Sequence, residues 1–224
     1  MIMSGADNLM NGDDEIAAVY CGDALIWERG SLRPVPAGYE ALERFDTGGT
    51  YACNTLFKPT SGILNCECKI EPKVSVGGDA IIVGGFNADP ASWKDQGTIW
   101  LLQKFGNRAS VKMRGSYGTY ETQSAENSVT VGMPIVISGT FSPSTSITVG
   151  GITTTGSGGA VLQRDVWITG NGAYNQANAC NAYIYYFKFW DGDTLARDMV
   201  PVKRLSDNKF GMWDFVTESF YVFA

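Results

Sequence analysis

The sequence predicts an all-β protein folded as a two-sheet antiparallel sandwich. Strand-like runs recur about every ten residues with turn signals between them, and no window shows sustained helical periodicity. Glycine is abundant, at 27 of 224 residues, and its lack of a three-residue period excludes collagen and indicates many tight turns. With 44% hydrophobic and 12% aromatic residues, the chain can form one sizeable core.

The first 33 residues are predicted to be a separate segment. Residues 16–28 (IAAVYCGDALIWE) hold two short apolar runs that flank a Cys-Gly-Asp turn, which is typical of a small β-hairpin. Such a hairpin is marginal alone and must pack on something. Two prolines in residues 30–36 indicate a linker. We therefore expect one segment at 1–33 and the sandwich at 34–224.

Several runs predict the strands of the sandwich. Residues 63–70 alternate apolar with polar, as in a half-buried strand, whereas residues 80–86 are continuously apolar, as in a central strand. Residues 146–155 read as a hairpin around Gly150–Gly151. Residues 182–190 are nearly all aromatic or β-branched and end at an Asp-Gly-Asp turn. Further strands are predicted at 98–105, 110–115, 134–141, 165–171, 194–200, 210–215 and 218–223.

The cysteines are odd in number and irregularly spaced. No histidine is present, and zinc sites use CxxC pairs or histidines. We expect small buried hydrophobic residues made in a reducing cytoplasm. The five are Cys21, Cys53, Cys66, Cys68 and Cys180.

Charge and hydropathy argue against nucleic-acid and membrane partners. The formal net charge is −6, and the densest basic spot is the pair Lys203–Arg204, whereas phosphate binding needs basic patches. The N-terminal residues lack the basic and apolar regions of a signal peptide. No run of 18 apolar residues exists that could insert in a membrane.

The sequence predicts no catalytic residue, and therefore no enzyme. Without histidine, Ser-His-Asp and Cys-His arrangements are excluded. Residues 156–159 lack the Lys-Ser/Thr of a phosphate-binding loop. Glu67 and Glu71 share a strand face, but Pro72 follows directly, which favours a solvated strand end over a hydrolytic carboxylate pair.

Two loops carry aromatic residues flanked by polar ones, at 91–97 and 114–120. Aromatic residues in such loops favour contacts with ligands or partners. The alternative is that these side chains fold back onto the rim of the sandwich. The candidate ligand-binding residues are Trp93, Asp95, Arg114, Tyr117 and Tyr120.

Two stretches, residues 35–59 and 184–221, resemble the opening and closing signatures of concanavalin/laminin-G-like jelly-roll domains. The chain departs from the opening pattern at Ala52–Cys53, where Ile-Asp is usual. Opening matches are Pro36, Gly38, Tyr39, Leu42, Glu43, Gly49, Thr50, Tyr51, Thr55 and Pro59. Closing matches are Asp191, Leu195, Arg197, Asp198, Pro201, Val202, Asp207, Gly211, Met212, Asp214, Phe220 and Tyr221.

These closing residues are predicted to be structural. The turn at residues 191–193 would fix hairpin register. Arg197 is expected to form a bidentate bond with a carboxylate, and Gly211 to allow close strand approach or a positive φ. The resemblance leaves calcium open, because lectin-like sandwiches often bind it through loops, and it implies no other cofactor. The possible calcium ligands Asp79, Asp89, Asp165 and Asn171 form no spaced motif.

The resemblance also implies a place in a bacteriophage virion, since such domains are abundant in virion proteins. Residues 19–28 resemble the hairpin that begins many phage structural proteins. The implied protein is made in the host cytoplasm, is a head fibre, decoration or tail component, and docks on other virion proteins through residues 1–33. The docking residues would be Val19, Tyr20, Leu25 and Trp27.

In this hypothesis the jelly roll is displayed, binds host surface glycans, and forms a homo-oligomer, for which a trimer is expected. The alternatives are a free bacterial carbohydrate-binding module and, less favoured, a glycosidase or polysaccharide lyase.

Overall fold

The computed structural model is all-β. It describes residues 18–21, 24–28, 32–85, 98–115, 118–142, 144–158, 165–170 and 179–224. Every regular element in these ranges is a β-strand, which confirms the predicted class. None of the described residues forms a helix that could cross a lipid bilayer. Contacts divide the chain into two compact units, Met1–Val35 and Pro36–Ala224.

The first unit contains the predicted hairpin. Strand β1 (Ala18–Cys21) pairs antiparallel with β2 (Ala24–Glu28), and the register shifts between Val19 and Tyr20. Across the pair, Val19 lies opposite Trp27 and Tyr20 opposite Leu25. Only the backbone of these four candidate docking residues is described, so their proposed role stays a prediction.

The strands of the second unit follow the predicted sequence rhythm. Within its described residues they are β3 (Tyr39–Ala41), β4 (Phe45–Asp46), β5 (Cys53–Asn54), β6 (Leu64–Pro72), β7 (Ala80–Gly85), β8 (Thr98–Lys104), β9 (Arg108–Gly115), β10 (Gly118–Gln123), β11 (Ile135–Phe141), β12 (Ser144–Val149), β13 (Ile152–Ser157), β14 (Trp167–Ile168), β15 (Ala182–Asp191), β16 (Thr194–Arg204), β17 (Lys209–Asp214) and β18 (Ser219–Val222).

These strands form two antiparallel sheets. The smaller sheet has the order β10-β9-β8-β7-β14-β5. The larger has the order β13-β12-β11-β6-β15-β16-β17-β18, with β3 beside β16 and β4 beside β15. Strand β6 lies between β11 and β15, which are distant in sequence, so the larger sheet combines strands from the beginning, the middle and the end of the second unit.

One hydrophobic core lies between the sheets. Along β6, burial alternates residue by residue, with Leu64, Cys66 and Cys68 on the buried side, as predicted. Strand β7 is buried throughout, as its continuous apolar run predicted. Phe187 and Phe189 on β15 are fully buried, and each side chain of this kind contributes about 1.5–3 kcal/mol on burial.

Hydrogen bonds also join the two sheets at two places. On one side, Thr122 of β10 and Thr145 of β12 share a hydroxyl–hydroxyl hydrogen bond of 2.5 Å. On the other, Ala52 and Ala224 exchange two backbone hydrogen bonds, of 3.1 and 2.9 Å. The second contact pairs backbone groups beside β5 and β18, which are edge strands of the two sheets.

The described cysteine side chains are buried and free, as expected from their spacing. Burial raises the pKa of the Cys66 and Cys180 thiols to about 12. A buried thiol with a raised pKa is a poor nucleophile and a poor metal ligand. The four are Cys53, Cys66, Cys68 and Cys180, whereas the side chain of Cys21 lies outside the described residues.

Two closing-signature expectations are confirmed and one is wrong. Gly192 has φ +60°, as the predicted turn requires, and a Cβ at Gly211 would collide with the Tyr221 carbonyl and the Phe220 ring. Arg197 does pair with a carboxylate, that of Asp214, but among the described residues it forms no bidentate bond. Its Nε lies 3.5 Å from Asp214 Oδ2, while its guanidinium donates to the carbonyls of Thr55, Leu56 and Ala196.

Candidate ligand-binding groove

Of the five predicted ligand-binding residues, the structure describes only one side chain, that of Tyr120. Trp93, Asp95 and Tyr117 lie outside the described residues, and of Arg114 only the backbone in β9 is described. Tyr120 on β10 is half-buried and packs against the core. For Tyr120 this is the arrangement expected if the aromatic side chains fold back onto the sandwich, while the loop site itself stays a prediction.

A different surface stands out, on the outer face of the larger sheet. Side chains that pair across neighbouring strands point to the same face, so the observed register arranges them in rows. The first row crosses β13, β12, β11, β6 and β15 in that order. It consists of Thr155, Ser146, Thr140, Asn65 and Trp190.

A second row runs parallel to the first, two residues further along each strand. It consists of Thr153, Thr148, Ser138, Glu67 and Lys188. Since neighbouring strands lie 4.7–4.9 Å apart, each row spans about 19 Å from β13 to β15. Hydroxyl, amide and carboxyl groups therefore cover part of the sheet, and the two rows end at the Trp190 ring and at Lys188.

Parts of both rows line a groove with a volume of about 380 Å³. The hairpin turn after β15 forms one end of this groove. The lining residues are Asn65, Cys66, Glu67, Ser138, Gly139, Thr140, Ser146, Thr148, Trp190, Gly192 and Asp193. Their polar groups and single aromatic ring face one surface, and this lining is more polar than that of a usual small-molecule site, which suits a ligand that is itself polar.

Hydrogen bonds connect the residues at the floor of the groove with the hairpin turn at its end. Thr140 Oγ1 donates to Asn65 Oδ1 at 2.7 Å, and Asn65 Nδ2 donates to the Gly192 carbonyl at 3.0 Å. The Asn65 amide group is thereby held at both ends. A ligand in the groove would meet side chains whose orientation is already set.

Asp191 holds the hairpin turn after β15 in position through hydrogen bonds to a neighbouring loop. Its carboxylate accepts hydrogen bonds from the backbone and hydroxyl of Thr60, at 2.9 and 2.7 Å, and from the backbone of Ser61, at 2.7 Å. Burial would raise the pKa of Asp191, but the hydrogen bonds from Ser61 and Thr60 outweigh it and lower the pKa to about 2. The ionised carboxylate therefore positions the turn that carries Gly192 and Asp193.

A strip of tyrosines and cations borders the groove on the same face. The Arg44 guanidinium lies 4.0 Å from the centroid of the Tyr183 ring, and Lys69 Nζ lies 4.8 Å from that of Tyr185. Glu71 accepts hydrogen bonds of 2.7 Å from both Arg44 and Tyr185. These groups satisfy one another, which leaves the two rows as the open polar part of the face.

Sequence reasoning missed the groove because its residues come from separated strands. A usable signal was present, since the outward positions of residues 136–148 are mostly Ser or Thr rather than charged residues. That signal does not say which strands are neighbours. Only the register places Thr140 beside Asn65, and Asn65 beside Trp190.

The possible calcium ligands are partly described. The Asp79 carboxylate forms ion pairs with Lys104 and Lys112, and Asp165 accepts a hydrogen bond from the Asn54 amide. Asp89 and Asn171 lie outside the described residues. Among the residues that are described, no group of three acidic or cysteine side chains could hold a metal ion.

No protein-family model matches the chain, and no curated protein matches it either. Several solved structures match the chain. Domains LG4–5 of the mouse laminin α1 chain match with a TM-score of 0.50 and 14% identity, covering 82% of this chain and 47% of that one. A candidate carbohydrate-binding protein from Bacteroides ovatus matches with 0.50 and 11%, covering 78% and 58%.

The CBM40 module of Ruminococcus gnavus IT-sialidase, solved with α2,3-sialyllactose, matches with a TM-score of 0.50 and 9% identity, covering 70% of this chain and 94% of that one. Thus the chain spans about half the length of the laminin and Bacteroides chains, and almost all of the module. At identities this low, a structural match is evidence of a shared fold and not of a shared activity. The second unit is a jelly roll of the concanavalin/laminin-G-like fold.

Proposed function

We propose that the jelly roll is a non-catalytic glycan-binding domain whose ligand lies in the groove of the larger sheet. One observation carries the proposal, namely the row of hydroxyl and amide side chains that ends on Trp190. Sugars present many hydroxyl groups and one apolar ring face, so they are bound by hydrogen bonds combined with stacking on an aromatic ring. The similar folds of two carbohydrate-binding proteins support the proposal.

The carboxylates considered in the sequence support a role in binding rather than hydrolysis. Glu67 and Glu71 do share the outer face, but their carboxylates have different partners, since Glu67 accepts a hydrogen bond from the Tyr186 hydroxyl. Glu71 is moreover held by Arg44 and Tyr185, as a structural group would be.

The test is the change Trp190→Ala, measured on a glycan array and by calorimetry with any saccharide that binds. Loss of the stacking surface should weaken binding at least about tenfold, which corresponds to 1.4 kcal/mol. Phe105→Ala is the matched control, because Phe105 is 73% exposed in the β8–β9 turn and outside the groove lining.

An array without a single hit, or a Trp190→Ala protein that binds normally, would contradict the proposal. Trp93→Ala and Tyr117→Ala locate the ligand if it lies at the predicted loops instead. Bound saccharides should also stay intact after long incubation, and their cleavage would show that the domain is an enzyme.

We further propose that the whole chain is a bacteriophage virion protein. Its first unit would dock on other virion proteins, and its jelly roll would be displayed for attachment to host glycans. The separate N-terminal unit and the sequence resemblance of residues 19–28 to phage structural hairpins support this role. The alternative, a free carbohydrate-binding module of a bacterial cell, needs the same groove but no docking segment.

Deleting residues 1–30 separates these two roles. The truncated protein should keep its affinity for saccharides and be absent from assembled particles. If it joins particles as efficiently as the full chain does, the docking role is wrong. Native mass spectrometry of the full chain tests the proposed homo-oligomer and its expected trimeric state.

A further inference from the structure

We infer that the groove selects uncharged or basic saccharides and rejects those that carry carboxylate, sulfate or phosphate groups. This inference rests on the proposed glycan binding and names its ligand class. The described groove lining contains two ionisable carboxyl side chains, Glu67 on β6 and Asp193 in the hairpin turn, and neither lysine nor arginine. The formal charge of the whole chain, −6, has the same sign.

Neither carboxylate has a salt-bridge partner among the residues that the structure describes. Within the described residues, no ion pair includes Glu67 or Asp193. Glu67 Oε1 accepts a hydrogen bond of 3.1 Å from the Tyr186 hydroxyl, which is a neutral partner. The negative charge of both groups therefore faces the groove.

Two lysines on the same face lie close to the groove and contact tyrosine rings. Lys188 is the cross-strand neighbour of Glu67, but its Nζ lies 5.7 Å from the centroid of the Tyr186 ring. Lys69 Nζ lies over Tyr185 in the same way. Lys69 belongs to the strip of tyrosines and cations, whereas Lys188 ends the second row, and neither lysine lines the groove.

This arrangement discriminates between ligands by charge. Sugar hydroxyls and amines can donate hydrogen bonds to Glu67 and Asp193, and such bonds to a charged acceptor are stronger than neutral ones. An anionic group in the same place would meet two like charges, with no lysine or arginine in the described groove lining. Like charges brought together in an interface are a common means of rejecting wrong partners.

The test uses pairs of saccharides that differ only in an acidic group, such as lactose and α2,3-sialyllactose, and neutral glycans beside their sulfated forms. Wild-type protein should bind the neutral member of each pair at least about tenfold more tightly. Equal binding of both members would overturn the inference while leaving glycan binding intact. Absence of binding to every pair would instead contradict the proposed function.

The double variant Glu67→Gln/Asp193→Asn tests the two residues. It should raise the affinity for acidic members about fivefold and leave neutral members within about twofold. Glu43→Gln/Glu218→Gln is the matched control, since it removes the same charge from two exposed positions outside the groove. The assignment is wrong if the control raises acidic binding equally, or if the groove variant leaves it unchanged.

Discussion

At the scale of single residues, Asp191 shows how one side chain positions a binding surface that it does not line. Its carboxylate accepts three hydrogen bonds from Thr60 and Ser61, and Gly192 N adds a bond of 2.9 Å to the Ile63 carbonyl. The loop before β6 and the turn after β15 are thus joined at the end of the groove.

The change Asp191→Asn should lower the free energy of unfolding by about 1 kcal/mol at pH 7, because the amide cannot replace all the charge-assisted hydrogen bonds. The pKa of Asp191 is lowered to about 2, so its stabilising effect is present above the unfolded value of about 3.9 and is lost as the pH falls through about 2. Urea unfolding at pH 7 and pH 2 measures this difference.

Asp193→Asn is the matched control for stability, since Asp193 is an exposed residue of the same turn. It should leave the unfolding midpoint unchanged at both pH values. If the two variants unfold alike, the hydrogen bonds to Thr60 and Ser61 do not carry the effect.

Arg197 shows what sequence reasoning about single residues lacks. Charge complementarity predicts a carboxylate partner, and Asp214 lies at 3.5 Å, but two of the hydrogen-bond acceptors are the carbonyls of Thr55 and Leu56 in a distant loop. Leu56 adopts a left-handed conformation with φ 49°. Sequence reports a charged side chain, whereas the carbonyls that a loop presents depend on a backbone conformation that the residue type does not specify.

At the scale of elements, alternation predicted the faces of strands correctly. Leu64, Cys66, Cys68 and Ile70 of β6 are all buried, and the hairpin around Gly150–Gly151 forms as expected. The order of the strands in the sheet was not predictable in this way, because any strand with one apolar face fits beside several others. The groove depends on this order, and it was therefore missed.

The pairing of β17 with β18 requires a glycine at position 211, because there is no room for a side chain. A Cβ at Gly211 would meet the Tyr221 carbonyl and the Phe220 ring. We expect Gly211→Ala to lower the free energy of unfolding by about 1–3 kcal/mol, as overpacking in a core does. Urea unfolding followed by tryptophan fluorescence measures the loss.

Gly78→Ala is the control for this prediction, since no atom lies within 4 Å of a Cβ there. It should not destabilise the protein. A Gly211→Ala protein as stable as the wild type would show that β18 moves to accommodate the methyl group.

At the scale of the whole molecule, the hydrogen bonds described above that join the two sheets lie within the jelly roll itself. The bonds between β10 and β12 and between Ala52 and Ala224 all lie within the second unit. The deletion of residues 1–30 proposed above should therefore leave the unfolding midpoint of the sandwich unchanged. A large decrease would mean that the missing particles in that experiment reflect misfolding rather than lost docking.

The buried free thiols give the sandwich a built-in reporter of its own opening. A maleimide or disulfide reagent cannot reach Cys53, Cys66, Cys68 or Cys180 while the sheets stay closed. In a Cys21→Ser background, the rate of alkylation therefore measures how often the layers separate. Mass spectrometry of partly labelled protein would then show which end of the sandwich opens first.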